Sequence, residues 1–160
     1  MTALISILGA GLLGLIALVG IFVGGMRAKW PPVVDLVRSL NRNFFAAQQL
    51  ETAGAPGAYA GVIHHRGRTS GTEYATPVTI KRLGDEFVIA MVYGRRSDWV
   101  RNVLAAGAAS IDLEGSSHDV GRPEIVPTSE VADAFSAADQ RVNRWLAIDE
   151  CLRLRPLPGP

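Results

Sequence analysis

The segment Arg66-Gly67-Arg68-Thr69-Ser70-Gly71 combines residue types suited to holding an anion. Two glycines let the backbone turn so that successive amides converge. Thr69 and Ser70 add hydroxyls, and the arginines bring planar, charge-bearing forks. The same residues would also serve as a polar hairpin tip, and on their own they do not separate the two roles. A second basic loop, Tyr93-Gly94-Arg95-Arg96-Ser97-Asp98-Trp99, leads into a helix for which Ser97 is a suitable N-cap. Free amides and cations at a helix start favour an anionic ligand, although a core tryptophan beside a solvated arginine pair has the same sequence. His64-His65 invite a metal or general-acid reading. Neighbours on a strand face opposite ways and His118 is the one other histidine, so no metal site is expected. The single cysteine, Cys151, allows neither an internal disulfide nor a thiolate metal cluster. Asp149 and Glu150 disfavour its thiolate, so a buried thiol is expected rather than a nucleophile.

The elements that must position these residues follow from hydropathy and punctuation. Ala3 to Met26 contains no Asp, Glu, Lys or Arg. About 20 helical residues cross a hydrocarbon core, so this run is long enough to span one. Arg27, Lys29, Arg38 and Arg42 follow it, which places its C-terminal side in the cytoplasm. A cleaved signal peptide is disfavoured by the length of the apolar stretch and by the lack of a basic start and a small-x-small cleavage site. Within this run, Gly9-Ala10-Gly11-Leu12-Leu13-Gly14 matches a dinucleotide fingerprint, but apolar residues on every side through Val23 favour a membrane helix. Pro31-Pro32 ends that helix, and Val33, Val34, Val37, Leu40, Phe44, Ala47 and Leu50 give an amphipathic helix ending near Ala53-Gly54.

Strand-like runs then cover Tyr59 to His65, Tyr74 to Lys81, Glu86 to Tyr93, Ala109 to Leu113 and His118 to Val126. A short helix from Ser97 stops at Gly107, and Pro127-Thr128 opens a closing helix toward Asp149. Only the tail from Pro156 to Pro160 reads as disordered. If Tyr74–Lys81 and Glu86–Tyr93 form a hairpin, the two basic loops lie at the same end of it and make one composite site. Strands interrupted by one small helix predict an α+β chain, an antiparallel barrel with flanking helices, and argue against a βαβ sheet. The expected parts are an anchor over residues 1–28, a connecting helix over 29–55 and a barrel over 56–155. The net charge is +1, with seven Lys/Arg against four Asp/Glu over residues 62–102 and five against nine over 103–160. A basic middle suits a small anionic ligand, and no broad basic face for nucleic acid is implied.

The order Gly67-Arg68-Thr69-Ser70-Gly71, Thr76-Pro77-Val78, Gly84-Asp85 and Asp98-Trp99-Val100-Arg101-Asn102, with Leu104 and Gly107, resembles the deazaflavin-dependent nitroreductase family. The resemblance covers Ala58 to Val126. It implies a split β-barrel oxidoreductase that binds coenzyme F420 and transfers a hydride between it and an electron-poor small molecule such as a quinone, an enone or a nitro compound. By position it assigns cofactor contacts to Arg68, Thr69, Ser70, Gly71, Pro77, Arg95, Arg96, Trp99 and Asn102. Tyr93 is the candidate for substrate orientation or proton donation. Thr69 stands where the family often has a basic residue, which leaves the charge to Arg68 and the Arg95-Arg96 pair. The alternatives are a flavin-mononucleotide enzyme on the same barrel and a non-catalytic, membrane-tethered barrel that carries a lipid or cofactor. The expected setting is a single-pass anchor with the barrel in the cytoplasm.

Overall fold

The computed structural model describes residues 2–40 and 49–158, with side chains from Gly11 onward. Helix α1 runs Thr2–Arg27 and α2 runs Pro31–Leu40. Proline at a first helical position loses no hydrogen bond, so Pro31 starts α2 as readily as it blocks α1. Gly9 to Gly14 lie inside α1, which rules out the strand–turn–helix that a dinucleotide fingerprint requires. Among the residues with described side chains, no single helix is long and apolar enough to cross a membrane; Gly11–Arg27 and Pro31–Leu40, bent by 101°, meet that standard only as a pair. The continuation of the amphipathic helix through Phe44 and Ala47 lies outside the described residues.

Seven strands follow: β1 Gly61–Arg66, β2 Glu73–Val78, β3 Ile80–Leu83, β4 Glu86–Ala90, β5 Ala108–Leu113, β6 Ser116–Pro127 and β7 Glu150–Pro156. They form one antiparallel sheet in the order β2-β1-β5-β6-β7-β4-β3. The outermost strands, β2 and β3, are separated only by Thr79. Two virtual bonds of 3.8 Å span at most about 7.6 Å, so the two edge strands come together at this corner and the sheet curls into a half-barrel. The expected antiparallel architecture with flanking helices is present in that form.

The internal layout differs from expectation in three places. Tyr74–Lys81 is not one strand: it breaks at Thr79, where the chain turns the barrel corner and changes partner from β1 to β4. Glu86–Tyr93 ends as a strand at Ala90. The segment after Pro127 is not one long helix. It forms a turn, a 3₁₀ turn at Ala132–Ala134, the short helix α4 (Ala137–Trp145) and then β7, which inserts between β4 and β6. A capping box starts α4: the Ser136 hydroxyl accepts from the Asp139 amide at 3.1 Å and the Asp139 carboxylate accepts from the Ser136 amide at 3.3 Å.

Helix α3 (Asp98–Ala106) forms as expected between Ser97 and Gly107. Gly107 is left-handed at φ 70°, which lets its amide close the helix on the Val103 carbonyl. Val100 and Val103 enter the barrel core with Ile63, Ile80, Phe87, Ile89, Ile111, Leu152 and Leu154. A second cluster, Val88, Val126, Val131, Phe135 and Cys151, fills the opposite face of β4 and β7. Cys151 is a buried free thiol, as expected, and it is burial rather than Asp149 or Glu150 that pushes its pKa up.

Candidate functional site

A cavity of about 950 Å³ lies between β2, the start of α3, the loop after β4 and the inner side of α4. Its wall includes Arg68, Thr69, Ser70, Pro77, Tyr93, Trp99 and Asn102, so seven of the residues singled out in the sequence come together. Gly71, Arg95 and Arg96 do not line it. The composite site exists, but no hairpin makes it. The Arg68 loop joins β1 to β2 and the Tyr93 loop leaves β4, on opposite parts of the sheet order. Closure of the barrel and α3 bring them face to face.

The loop has the geometry of an anion cradle. The Gly71 amide donates to the Gly67 carbonyl at 2.8 Å, and the Gly67 amide to the Thr72 carbonyl at 2.7 Å. Gly71 has φ 70°, the left-handed conformation that closes such a turn without strain only for glycine. Among the described residues, the Thr69 and Ser70 amides between these bonds have no partner, and both residues are exposed. Unpaired successive amides are the donors of an anion nest.

Asn102 connects this loop to the interior. Its Oδ1 accepts from the Arg68 amide at 3.2 Å and from Arg68 Nη1 at 2.9 Å. Oxygen must be the atom facing Arg68, because both partners are donors, so Nδ2 is left to donate to His65 Nδ1 at 3.1 Å. His65 is then neutral and carries its proton on Nε2, which donates to Thr76 Oγ1 at 3.0 Å. Thr76 accepts that bond and lines the cavity, so its own O–H is free to turn to a ligand. Thr76 entered the sequence reading only within the Thr76-Pro77-Val78 motif and His65 only as one of a histidine pair, so neither was assigned a cofactor contact. The only signal was the alternation of β1, which puts His65 on the face of Ile63 and His64 on the other, where His64 Nε2 meets Asp112 Oδ2 at 2.7 Å. Among the described residues no group of three His, Cys, Asp or Glu could hold a metal.

Burial holds His65 below its ordinary 6.5, Asp98 pulls it upward and His64 pushes it down again. A histidine whose folded value is depressed adds stability above its unfolded value, and this is lost as pH falls through the lower folded value. The natural protein is therefore expected to lose thermal stability below about pH 6.5 more steeply than a His65→Gln variant, whose amide can accept and donate in the same places. Matching pH profiles of the melting temperature would refute the neutral relay.

Other elements close the cavity. Arg38 comes from α2, Tyr59 from the segment before β1, and Asp139, Val142 and Asn143 from α4. Tyr59 donates to Asp139 Oδ1 at 3.0 Å and Lys81 sits 3.1 Å from Oδ2, tying α4 down over the opening. Arg38 Nε and Asn143 Nδ2 are buried donors without a partner among the described residues. Burial pushes the Tyr93 phenol above 10.0 while Arg38 draws it down, so Tyr93 keeps its proton at neutral pH. The expected Arg95-Arg96 pair is split. Arg95 Nε lies 2.9 Å from both oxygens of Glu150, whose carboxyl is held low by that contact, while Arg96 is exposed. β7, unforeseen in the sequence, brings Glu150 to this position.

Residues 40–145, more than half of the chain, match the family model described as F420H(2)-dependent quinone reductase. No curated protein matches the sequence. Among solved structures, an F420-H2 dependent reductase (FDR-A) is 12% identical with a TM-score of 0.48, over 61% of this chain and 94% of that one. An F420 reductase is 14% identical with a TM-score of 0.46, over 68% and 92%. A heme binding protein from Mycobacterium smegmatis is 23% identical with a TM-score of 0.41, over 67% and 50%. The flavin-mononucleotide and non-catalytic alternatives give way to the family match. The chain belongs to the F420H(2)-dependent quinone reductase family, as an oxidoreductase whose cofactor is coenzyme F420.

Proposed function

We propose that this protein is a membrane-anchored reductase that passes a hydride from reduced coenzyme F420 to a lipid-soluble, electron-poor acceptor, with a quinone favoured over an enone or a nitro compound. The observation that carries the reading is the single cavity wall on which an anion cradle, two apolar side chains and two buried donors without a partner among the described residues converge. These residues fit the cofactor. The Thr69 and Ser70 amides and the free edge of Arg68 suit a phosphate, and Pro77 and Trp99 offer surfaces for a planar ring. When bound, the cofactor supplies the hydride, and the protein binds, orients and shields. Arg68 would fix the anionic part and Thr76 O–H would donate to an acceptor oxygen. Tyr93, protonated at neutral pH, would orient the substrate or give it a proton. Arg38 Nε and Asn143 Nδ2 stand on the α2 and α4 side as donors for substrate oxygen.

The uncharged run Ala3–Met26 supports the anchor, as does the exposure of Leu12, Leu13, Leu15, Ile16 and Leu18 on α1, since an apolar face this long calls for an apolar partner. The charge bias after Met26 favours a cytoplasmic barrel. Full-length protein is expected to remain with membranes through alkaline carbonate, and a periplasm-dependent reporter fused after Pro160 to be inactive. Release of the chain by carbonate would remove the anchor from this proposal, and an active reporter would reverse its orientation. Substrate class is tested by mixing protein loaded with reduced F420 against a quinone, an enone and a nitroarene under single-turnover conditions. The quinone is expected to reoxidise the cofactor fastest, and a quinone slower than both others would overturn that choice.

A further inference from the structure

A second, shallower cavity of about 400 Å³ lies at the foot of α1, lined by Arg27, Arg141, Val142, Arg144 and Trp145. Arg27 is the last residue of α1, and its Nη1 donates to the carbonyls of Arg144 at 2.8 Å and Trp145 at 2.7 Å. Those carbonyls end α4, where the helix dipole is negative and a guanidinium is well placed. The apolar helix is thereby tied directly to the basic end of α4. Among the described residues, none of the three guanidiniums has an ion-pair partner. The acid of α4, Asp139, is engaged on the other side by Lys81 and Tyr59. Glu150 is engaged by Arg95, and Asp149 and Glu150 both act on Lys29, whose half-buried ammonium donates to the Val92 carbonyl. Beside the three charges, Trp145 is 63% exposed and Val142 50%.

We propose that Arg27, Arg141, Arg144 and Trp145 form a docking surface for anionic phospholipid headgroups, which seats the barrel against the bilayer that holds α1. The proposal rests on the anchor in the proposed function. Two arguments fix the occupant. The uncompensated positive charge is complementary to anionic phosphate at a membrane surface. The patch also continues an exposed apolar helix through a tryptophan, the side chain that settles at the water–lipid boundary, whereas a soluble anionic partner would have no use for the apolar part. Val142 lines both this patch and the larger cavity, so docking would put one wall of the reductase site at the membrane surface, where a lipid-soluble acceptor arrives.

The test uses the full chain in vesicles of phosphatidylcholine alone or mixed with phosphatidylglycerol, each with brominated acyl chains. Trp145 emission is isolated by subtracting that of a Trp145→Phe variant. Quenching is expected to be strong in the phosphatidylglycerol vesicles and weak in phosphatidylcholine. An Arg141→Gln/Arg144→Gln variant is expected to dock about 25-fold more weakly, at roughly fivefold per arginine. Both positions are exposed, and an unchanged near-ultraviolet circular dichroism spectrum would confirm the fold of the variant. A chain that floats with both vesicle types but whose Trp145 is quenched equally in each, or in neither, overturns the docking surface alone. Unchanged quenching in the double variant does the same. A chain that floats with neither overturns the anchor and the docking surface with it.

Discussion

An Arg68→Ala chain is expected to bind coenzyme F420 at least about tenfold more weakly than the natural sequence, while His64→Ala changes affinity by less than about twofold. Arg68 Nη1 is already used, by Asn102 Oδ1 at 2.9 Å and by Asp98 Oδ1 at 3.4 Å. Its Nε and Nη2 have no partner among the described residues and remain to meet an anion beside the free Thr69 and Ser70 amides. Charge-assisted hydrogen bonds contribute roughly 1.5–3 kcal/mol each, and about 1.4 kcal/mol is a factor of ten in affinity. The loop itself should survive the substitution, because the Arg68 amide keeps its bond to Asn102. His64 lies on the other face of β1, paired with Asp112, and serves as the matched control. Arg68→Lys keeps the charge but loses the planar fork, so an intermediate affinity is expected. Fluorescence titration of the four proteins decides the matter, and equal affinity of Arg68→Ala and the natural chain would remove Arg68 from the cofactor site.

Leu154→Ala is expected to give the largest loss of stability. Leu154 is fully buried on β7 opposite Phe87 of β4, and it belongs to the main core cluster. Removing a buried leucine side chain costs about 2–5 kcal/mol, the lost transfer energy adding to the cavity left behind. For a chain of this size each kcal/mol lowers the melting temperature by roughly 2–4 °C, so a fall of about 10 °C is expected by thermal unfolding. The neighbouring Arg153 faces the opposite way, with Nη2 2.7 Å from Glu124 and Nη1 2.9 Å from Glu130. The Arg153 side chain is only 17% exposed, but its partners Glu124 and Glu130 are about half exposed and regain water when it is removed, so Arg153→Ala is expected to cost less than Leu154→Ala. A melting temperature for Leu154→Ala within 2 °C of the natural chain would mean that β7 is not part of the cooperative core.

Several features of this protein were decided locally and could be read from the sequence. The turn at Gly67–Gly71 follows from a left-handed glycine, and the extent of α3 from Ser97 and Gly107. The opposed faces of His64 and His65 follow from the period of a strand. Each depends on residues within about ten positions, and the order of the motifs pointed to the family. The Leu152-Arg153-Leu154-Arg155 alternation of β7 was also present, but it lay beyond a closing helix drawn too long and beside a proline-rich tail.

Tertiary structure alone decided the rest. The break at Thr79 exists because a curling sheet must bring its edges together, and nothing in Tyr74–Lys81 encodes which neighbour each half will pair with. Asn102 meets His65 from 37 positions away, fixing a tautomer and directing Thr76, because α3 packs into the end of the barrel. Arg95 appeared free in the sequence and is held by Glu150 because β7 inserts beside β4. Arg38 and Asn143 reach the cavity on helices that close over it. Spacing along a chain records which face a side chain occupies. Which distant face it meets is set by the packing that buries the most apolar surface, and that belongs to the whole fold.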